Sequence, residues 1–384
     1  MMPPRIFIFT ICLFLLEGCN VDYEAMAEHR TEYARINQGE IVIAAIQDSD
    51  KTNYIKGISL AIEEINQSKN RLLGRPLKLH IEHDHNSFKS AKSVIRRIAN
   101  NPKISVVLGH TKDEVVLPAS AIYEKSQLLF FPPFTTTEKL TSHHSLFTFR
   151  MLPDNTHMAK QISNLSKKLS FTKVAVLYAR AERHRELGLL FKKTFAGKNL
   201  DLVFTRSFFE NTDDYRPLLS DLKKKEFDAV LVSASAKTAV RLIKQMREMG
   251  IDTPIMGSGD LNSQSFKTSV GIAGNGTIVP TPYNILSNSS INQSFITRYR
   301  AKYKQPPDAD AALGYDSVML FANKAERAKS TLPALLASTI RFSPQWMGIT
   351  GTYHFSKEGN LKDKNYSFQV LNNKNWQQLH STLQ

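Results

Sequence analysis

From residue 40 onward the chain alternates apolar runs of strand length with amphipathic stretches of helix length, and this alternation constrains the fold more than any other feature. Residues 41–46 form a continuous apolar run of strand length. Asn53 is then predicted to cap a helix in which Ile58, Ala61 and Ile65 recur on one face. Alternation of this kind predicts parallel sheets that are covered by helices on both faces.

The alternation runs through two similar series, which predict two sheets. The further predicted strands of the first series are 77–82, 106–108 and 128–131, and those of the second are 174–178, 202–208, 229–232, 255–257 and 277–279. The pattern then changes to predicted helices at 292–303 and 309–328 and to β-rich pieces at 350–355 and 366–371. Ligands of open α/β sheets bind beyond the carboxyl ends of the strands, so the predicted site is the cleft where those ends face each other.

The first residues are typical of an exported lipoprotein. Arg5 precedes an apolar run over residues 6–16, which is shorter than the roughly 20 residues that cross a bilayer, and Cys19 follows shortly after. We therefore expect residues 1–18 to be a signal peptide and Cys19 to carry the lipid, with an ordinary secretory signal or a retained interfacial anchor as alternatives. The polar residues 19–39 are predicted to be a tether between the lipid and the fold.

Removal of the signal peptide would take Cys12 with it, so the mature chain would have no pair of cysteines for an internal disulfide. The formal net charge of +15 is compatible with anionic lipids, an acidic partner or an anionic ligand. The cations are scattered, as in Lys223–Lys225, and no recognition motif of aromatic and basic residues accompanies them. We therefore expect no nucleic-acid partner.

Motifs of catalysis and cofactor binding are absent from the sequence. It contains no nucleophile elbow, no Walker A loop and no glycine-rich dinucleotide motif after a predicted strand. The strongest metal candidate is the group His80, His83, Asp84 and His85, whose alternative interpretation is a polar strand end beside the cleft or a solvated turn. We expect a protein that is not an enzyme, with no cofactor and no metal.

Several segments resemble one family when they are taken in order. Gly109-His110, Pro118–Glu124 and Pro133–Thr141 are similar to the first-domain core of the leucine/isoleucine/valine-binding protein family, the type I periplasmic binding proteins. Ala61–Asn66 and Phe149-Arg150 match as well, and the resemblance extends over nearly all of the chain from residue 40 onward. It implies an α/β clamshell of two lobes, each a mostly parallel sheet flanked by helices.

The resemblance also implies three crossings between the lobes, near Leu152, Pro280 and Met347. Lobe 1 would comprise residues 40–152 and 281–346, and lobe 2 would comprise residues 153–280 and 347–384. The implied function is that of a periplasmic, membrane-anchored lipoprotein that binds a small polar ligand and delivers it to an inner-membrane ABC permease. The alternative is a sensor or protein-interaction lipoprotein that regulates a membrane receptor or an envelope enzyme.

The family's ligand contacts map onto this sequence only in part. Thr136 is retained, but Asp113 replaces a serine that would hold an amino-acid carboxylate, and its negative charge would repel that group. Arg183 and Ser235 stand near positions of cleft aromatic residues, and Asp260 is adjacent to the position of an acidic residue. The predicted ligand-binding residues are therefore Asp113, Phe134, Thr135, Thr136, Arg183, Ser235 and Asp260. Asp113 and Asp260 would suit an amine, whereas Arg183 would suit an anion.

Overall fold

The computed structural model describes residues 22–48, 51–143, 145–196 and 200–379. The predicted signal peptide and Cys19 lie outside the described residues. The strands are β1 (Ile41–Ile46), β2 (Leu77–Glu82), β3 (Ile104–Leu108), β4 (Leu129–Phe131), β5 (Lys173–Ala179), β6 (Asp201–Phe208), β7 (Ala229–Ser233), β8 (Ile255–Gly257), β9 (Thr277–Thr281), β10 (Trp346–Gly348), β11 (Gly351–Tyr353), β12 (Ser367–Asn372) and β13 (Asn375–Gln378). The helices are α1 (Tyr23–Ile36), α2 (Thr52–Gln67), α3 (Phe88–Asn100), α4 (Asp113–Lys125), α5 (Asn155–Lys168), α6 (Glu182–Ala196), α7 (Arg216–Lys223), α8 (Ala236–Glu248), α9 (Gln264–Val270), α10 (Ser290–Tyr303), α11 (Ala309–Ala328) and α12 (Pro333–Phe342).

The strands form two principal sheets, one in each lobe. The sheet of lobe 1 is parallel, with strand order β2-β1-β3-β4. The sheet of lobe 2 has the order β13-β12-β9-β8-β7-β5-β6, in which β12 pairs antiparallel with both β9 and β13 at one side. The predicted fold class, two lobes of mostly parallel sheet flanked by helices, is confirmed.

Strand β1 shows how an apolar run supports two layers of helices. All six of its residues are buried. Ile41, Ile43 and Ala45 belong to the core beneath α2 and α11, while Val42 and Ile46 belong to the core beneath α3 and α4. Because successive side chains of a strand point to opposite faces, a strand covered on both sides must be apolar throughout.

The third crossing between the lobes lies later than the sequence predicts. Asp316 in α11 accepts hydrogen bonds from the backbone N–H groups of Ile349 and Thr350, each at 2.8 Å. Residues 347–364 therefore pack on lobe 1, and the chain rejoins the sheet of lobe 2 at Ser367, the first residue of β12. The boundary predicted at Met347 marks a change from helix to strand, which does not reveal the lobe against which the strands pack.

Two local expectations differ from the structure near the start of the described residues. Residues 23–36 of the predicted tether form helix α1, which is docked on lobe 1 through the buried Arg30. Asn53 does not cap α2; its side-chain amide donates instead to Asp308 at 2.7 Å, and Lys51 holds the N-cap position. In both places a distant tertiary partner outweighs the local sequence preference.

Candidate functional site

The candidate site is the cleft between the lobes, at the carboxyl ends of both sheets. It encloses a cavity of about 200 Å³. Lobe 1 contributes the loops that follow β1, β3 and β4 and the beginning of α11, and lobe 2 contributes the segments that follow β5, β7 and β8. Predicted residues that line the cavity are Phe134, Thr136, Arg183, Ser235 and Asp260.

Arg183 is the centre of the charge network in the cleft. Its guanidinium forms an ion pair with Asp260 of the same lobe, and it lies 3.9 Å from the carboxylate of Asp113 in lobe 1. Burial lowers the pKa of Arg183, but Asp260 and Asp113 outweigh that effect and raise it. Burial likewise raises the pKa of Asp260, yet the attraction of Arg183 holds it well below its ordinary value. Arg183 and Asp260 are therefore both charged at neutral pH.

His184 follows Arg183 in α6 and contacts two carboxylates. Its Nδ1 lies 3.8 Å from Asp260 and its Nε2 lies 3.8 Å from Glu210. Burial lowers the pKa of His184 despite these carboxylates, and the nearby guanidinium of Arg183 lowers it further. The imidazole is thus neutral at pH 7, and it adds a polar group to the cavity without adding charge.

A second ion pair belongs to lobe 1. Lys51 Nζ lies 3.0 Å from Asp310 at the beginning of α11 and 4.5 Å from the ring centroid of Phe134. Burial lowers the pKa of Lys51, but the adjacent carboxylate of Asp310 outweighs it and raises the pKa. The ammonium group therefore stays charged at this wall of the cleft, between a carboxylate and an aromatic face.

The remaining predicted residues differ in what they present to the cleft. Thr136 lines it, and its backbone carbonyl accepts a hydrogen bond from the N–H of Asn155 at 2.8 Å. Ser235 donates its hydroxyl to Thr238 at 2.9 Å, just after β7. Thr135 is fully buried and lies behind the lining residues, as does Asp113. Five of the seven predicted residues therefore line the cavity, and Asp113 and Thr135 do not.

Several lining residues were missed by the sequence interpretation. Asp48 lies two residues after the end of β1 and accepts a hydrogen bond from Thr111 at 2.6 Å. Its place after a strand is the signal that would have identified it. Asp310 has no such signal, since it begins a helix far along the chain and reaches the cleft only because α11 packs against α2.

The candidate metal cluster after β2 is dispersed in the structure. His80 pairs with Glu82 at 3.1 Å, whereas the buried Asp84 binds His110 at 2.6 Å. His110 also contacts the hydroxyl of Tyr123 at 3.0 Å. Among the residues that the structure describes, no group of three or more His, Cys, Asp or Glu side chains is arranged to hold a metal ion. The alternative interpretation, a polar strand end, fits these contacts.

Two lobes with a polar cleft between the carboxyl ends of their sheets define a class of ligand-binding proteins. A family model described as periplasmic binding protein matches residues 47–375. The chain belongs to this family, which consists of extracytoplasmic solute-binding proteins and not of enzymes. Within the described residues, no helix is long and apolar enough to cross a membrane.

Similar proteins agree with this assignment. The leucine-, isoleucine-, valine-, threonine- and alanine-binding protein of Pseudomonas aeruginosa is 24% identical over 82% of this chain and 83% of its own length. A branched-chain amino acid transporter substrate-binding protein of Streptococcus pneumoniae, solved with isoleucine, has a TM-score of 0.79 at 26% identity, covering 88% of this chain and 97% of that one. An ABC transporter substrate-binding protein of Desulfitobacterium hafniense, solved with leucine, has a TM-score of 0.81 at 23% identity, covering 88% and 100%.

Proposed function

We propose that this protein is a lipid-anchored, extracytoplasmic binding protein that captures a small polar molecule, amino-acid-like, amide or amine, for an ABC importer. The observation that carries the proposal is the polar cavity of about 200 Å³ between the two lobes. That volume is small among ligand sites, which commonly measure about 300–1,000 Å³, and it suits a molecule of amino-acid size. The relatives that bind aliphatic amino acids support the same size class.

The charges of the cleft argue against an aliphatic amino acid as the ligand. Asp260 is already paired with Arg183, so a ligand ammonium would have to compete with a guanidinium for this carboxylate. Asp113 lies behind Arg183 and opposes a ligand carboxylate at the start of α4. The ligand that fits best has polar groups that hydrogen-bond to Thr136, Ser235 and their neighbours.

A ligand screen tests the binding function. We expect the melting temperature of the unlipidated protein to rise with one or a few members of a panel of amino acids, amines, amides and small anions, because a ligand that binds only the folded state stabilises it. The shift should disappear in Thr136→Val, which removes a hydroxyl from the cavity, and persist in Thr268→Val, a matched change on the exposed surface of lobe 2. A panel without any shift would contradict the proposal.

The lipid anchor is tested separately, by metabolic labelling with a radioactive fatty acid. We expect the wild-type protein to incorporate the label and to sediment with membranes. Cys19→Ser should remove both properties and leave the melting temperature of the soluble part unchanged. Incorporation of label by Cys19→Ser would refute Cys19 as the site of lipidation.

One observation favours the alternative function, a sensor or interaction protein. Arg183 of lobe 2 is attracted to Asp113 of lobe 1, so the protein's own side chains contribute to closure of the cleft. A protein whose lobes close on an internal ion pair can present its closed surface to a membrane receptor without carrying cargo. Ligand uptake by cells that lack the protein would separate the functions, since loss of transport is expected only for an importer component.

A further inference from the structure

Helix α1 lies outside the residues matched by the family, and a buried arginine fixes it to lobe 1. Arg30 is 1% exposed. Its guanidinium donates to the backbone carbonyls of Ala99 at 2.5 Å, Asn101 at 2.9 Å, Ile104 at 2.7 Å and Ser126 at 3.3 Å. The carbonyls of helix C-termini carry partial negative charge, which complements this cation. Helix α1 is therefore a docked element of lobe 1.

The four carbonyls define the position of α1 on the lobe. They belong to the ends of α3 and α4 and to the first residue of β3. The cleft lies at the other ends of these elements, where Thr111 follows β3 and Lys112 precedes α4. We call the surface around Ala99, Asn101, Ile104 and Ser126 the cleft-distal pole of lobe 1. A strand of five residues places it roughly 17 Å from the cleft.

The beginning of α1 also lies at this pole. The ring of Tyr23 lies 5.6 Å from Nζ of Lys125, the last residue of α4. Asp22 caps the helix by accepting a hydrogen bond from the N–H of Ala25. Only Asn20 and Val21 separate this cap from Cys19. Three residue steps span at most roughly 10 Å, so a lipid on Cys19 cannot lie far from the pole.

We propose that the cleft-distal pole of lobe 1 rests against the lipid surface and that the docked helix α1 holds it there. The cleft and lobe 2 then point away from the membrane. The inference rests on the proposed lipid anchor at Cys19. A partner protein in the same membrane would then face lobe 1. A partner protein that contacts both lobes could do so only after α1 undocks from lobe 1.

Energy transfer from the protein to the membrane tests this orientation. The mature chain has Cys19 as its one cysteine, so a single introduced cysteine can be labelled selectively. Lys103→Cys places a donor at the pole, and Lys225→Cys places one at the far end of lobe 2; both lysines are exposed. The labelled lipoproteins are reconstituted into vesicles of phosphatidylethanolamine and phosphatidylglycerol that contain a rhodamine-labelled lipid.

We expect transfer from position 103 to exceed transfer from position 225 by at least about twofold, because the strands of the two lobes alone separate the ends by roughly 30 Å. A Gly/Ser insertion between Asn20 and Val21 is the matched control. About 20 inserted residues add a flexible reach of about 25 Å without changing the fold, and they should bring the two efficiencies together.

The possible outcomes test the lipid anchor and the proposed orientation separately. If the wild-type lipoprotein fails to float with the vesicles, the anchor and the orientation are both refuted. A second outcome is that the wild type floats with the vesicles, that Cys19→Ser does not float, and that positions 103 and 225 give equal transfer. In that case the anchor at Cys19 is supported and only the proposed orientation is refuted. Arg30→Ala should behave like the insertion, provided that its circular dichroism spectrum matches that of the wild type.

Discussion

At the scale of single residues, Arg183 shows how a family position can change its role. The guanidinium connects Asp260 of its own lobe with Asp113 of the other lobe, and the exposed fractions of the three side chains are 23%, 25% and 16%. A cation with two acidic neighbours on opposite walls stabilises the protein itself. Its removal would leave two carboxylates facing each other in a largely desolvated cleft.

Arg183→Gln is therefore expected to lower the free energy of unfolding by about 2–4 kcal/mol, near the lower end for a buried pair because some solvent remains. Urea unfolding measures the change, with Lys225→Gln as a control that removes an exposed cation. The pKa of Asp260 is depressed in the folded state, so its stabilisation is present above the unfolded pKa of about 3.9 and is lost as the pH falls below it. The difference between wild type and Arg183→Gln should shrink in acid; a constant difference would contradict this account.

Lys364 is a second residue with a measurable pH signature. It is buried beside the third crossing, where it donates to Thr350 Oγ1 at 2.9 Å and to the carbonyl of Met151 at 3.4 Å. Burial lowers its pKa to about 7, in spite of the attraction of Asp316. In the unfolded chain the pKa of a lysine is about 10.4, so between these values the unfolded state binds more protons and stability rises with pH.

We expect the wild type to gain stability relative to Lys364→Met by roughly 1 kcal/mol per pH unit between pH 7 and 10. The measurement is urea unfolding at pH 7, 8 and 9, with Lys225→Met as the exposed control. Parallel curves for the wild type and Lys364→Met would show that the amine of Lys364 keeps its ordinary pKa in the folded protein.

At the scale of secondary-structure elements, the sequence predicted best where an apolar run occupies a central strand. The limits of β1 and β8 agree with the prediction, because a strand buried on both faces must be continuously apolar. The limits of the edge strand β2 agree as well, although only Leu77 of its six residues is buried. Helices α1, α9 and α12 were missed. Helix α1 is polar and depends on the contacts of Arg30 with distant carbonyls, which no local pattern reveals.

The residues of the candidate site divide in the same way, into those that the sequence predicts and those that only tertiary packing brings to the cavity. Phe134, Thr136 and Ser235 follow strands and line the cavity, and the resemblance to the family had placed all three among the predicted ligand-binding residues. Asp310 and Tyr366 come to the cavity from a helix and from a crossing between the lobes. Their positions depend on how the lobes and α11 pack, which is tertiary information that a single sequence does not contain.

The crossing of α2 and α11 offers a prediction at this scale. A Cβ atom on Gly57 would lie 2.0 Å from the carbonyl oxygen of Ala311, and one on Gly314 would lie 2.1 Å from that of Tyr54. The two glycines therefore allow the helix backbones to touch. Gly57→Ala must push the helices apart, and we expect it to destabilise the protein by about 1–3 kcal/mol.

Thermal unfolding of Gly57→Ala and Gly259→Ala tests the crossing. Gly259 is the control, because a Cβ there would meet Met158 at an ordinary distance of 3.6 Å. We expect a lower melting temperature for Gly57→Ala only. Equal melting temperatures would mean that α2 and α11 can separate without cost.

At the scale of the whole molecule, helix α6 holds the lobes together. Besides the contact of Arg183 with Asp113, Glu182 pairs with Lys139 of lobe 1 at 2.5 Å, and Glu186 accepts a hydrogen bond from the N–H of Glu138 at 3.1 Å. Three residues near the beginning of α6 therefore contact lobe 1. They join α6 directly to lobe 1, so we expect them to oppose a separation of the lobes.

The contacts of α6 differ in how they respond to salt. The side chains of Glu182 and Lys139 are 61% and 56% exposed, so salt screens this pair. Arg183 and Asp113 are 23% and 16% exposed and are screened much less. We therefore expect the ligand-free protein to keep a compact radius of gyration in small-angle X-ray scattering as salt is raised. Asp113→Asn should increase that radius at every salt concentration, whereas Glu182→Gln should not. If Asp113→Asn leaves the radius unchanged while its melting temperature falls, Asp113 stabilises lobe 1 alone and does not contribute to closure.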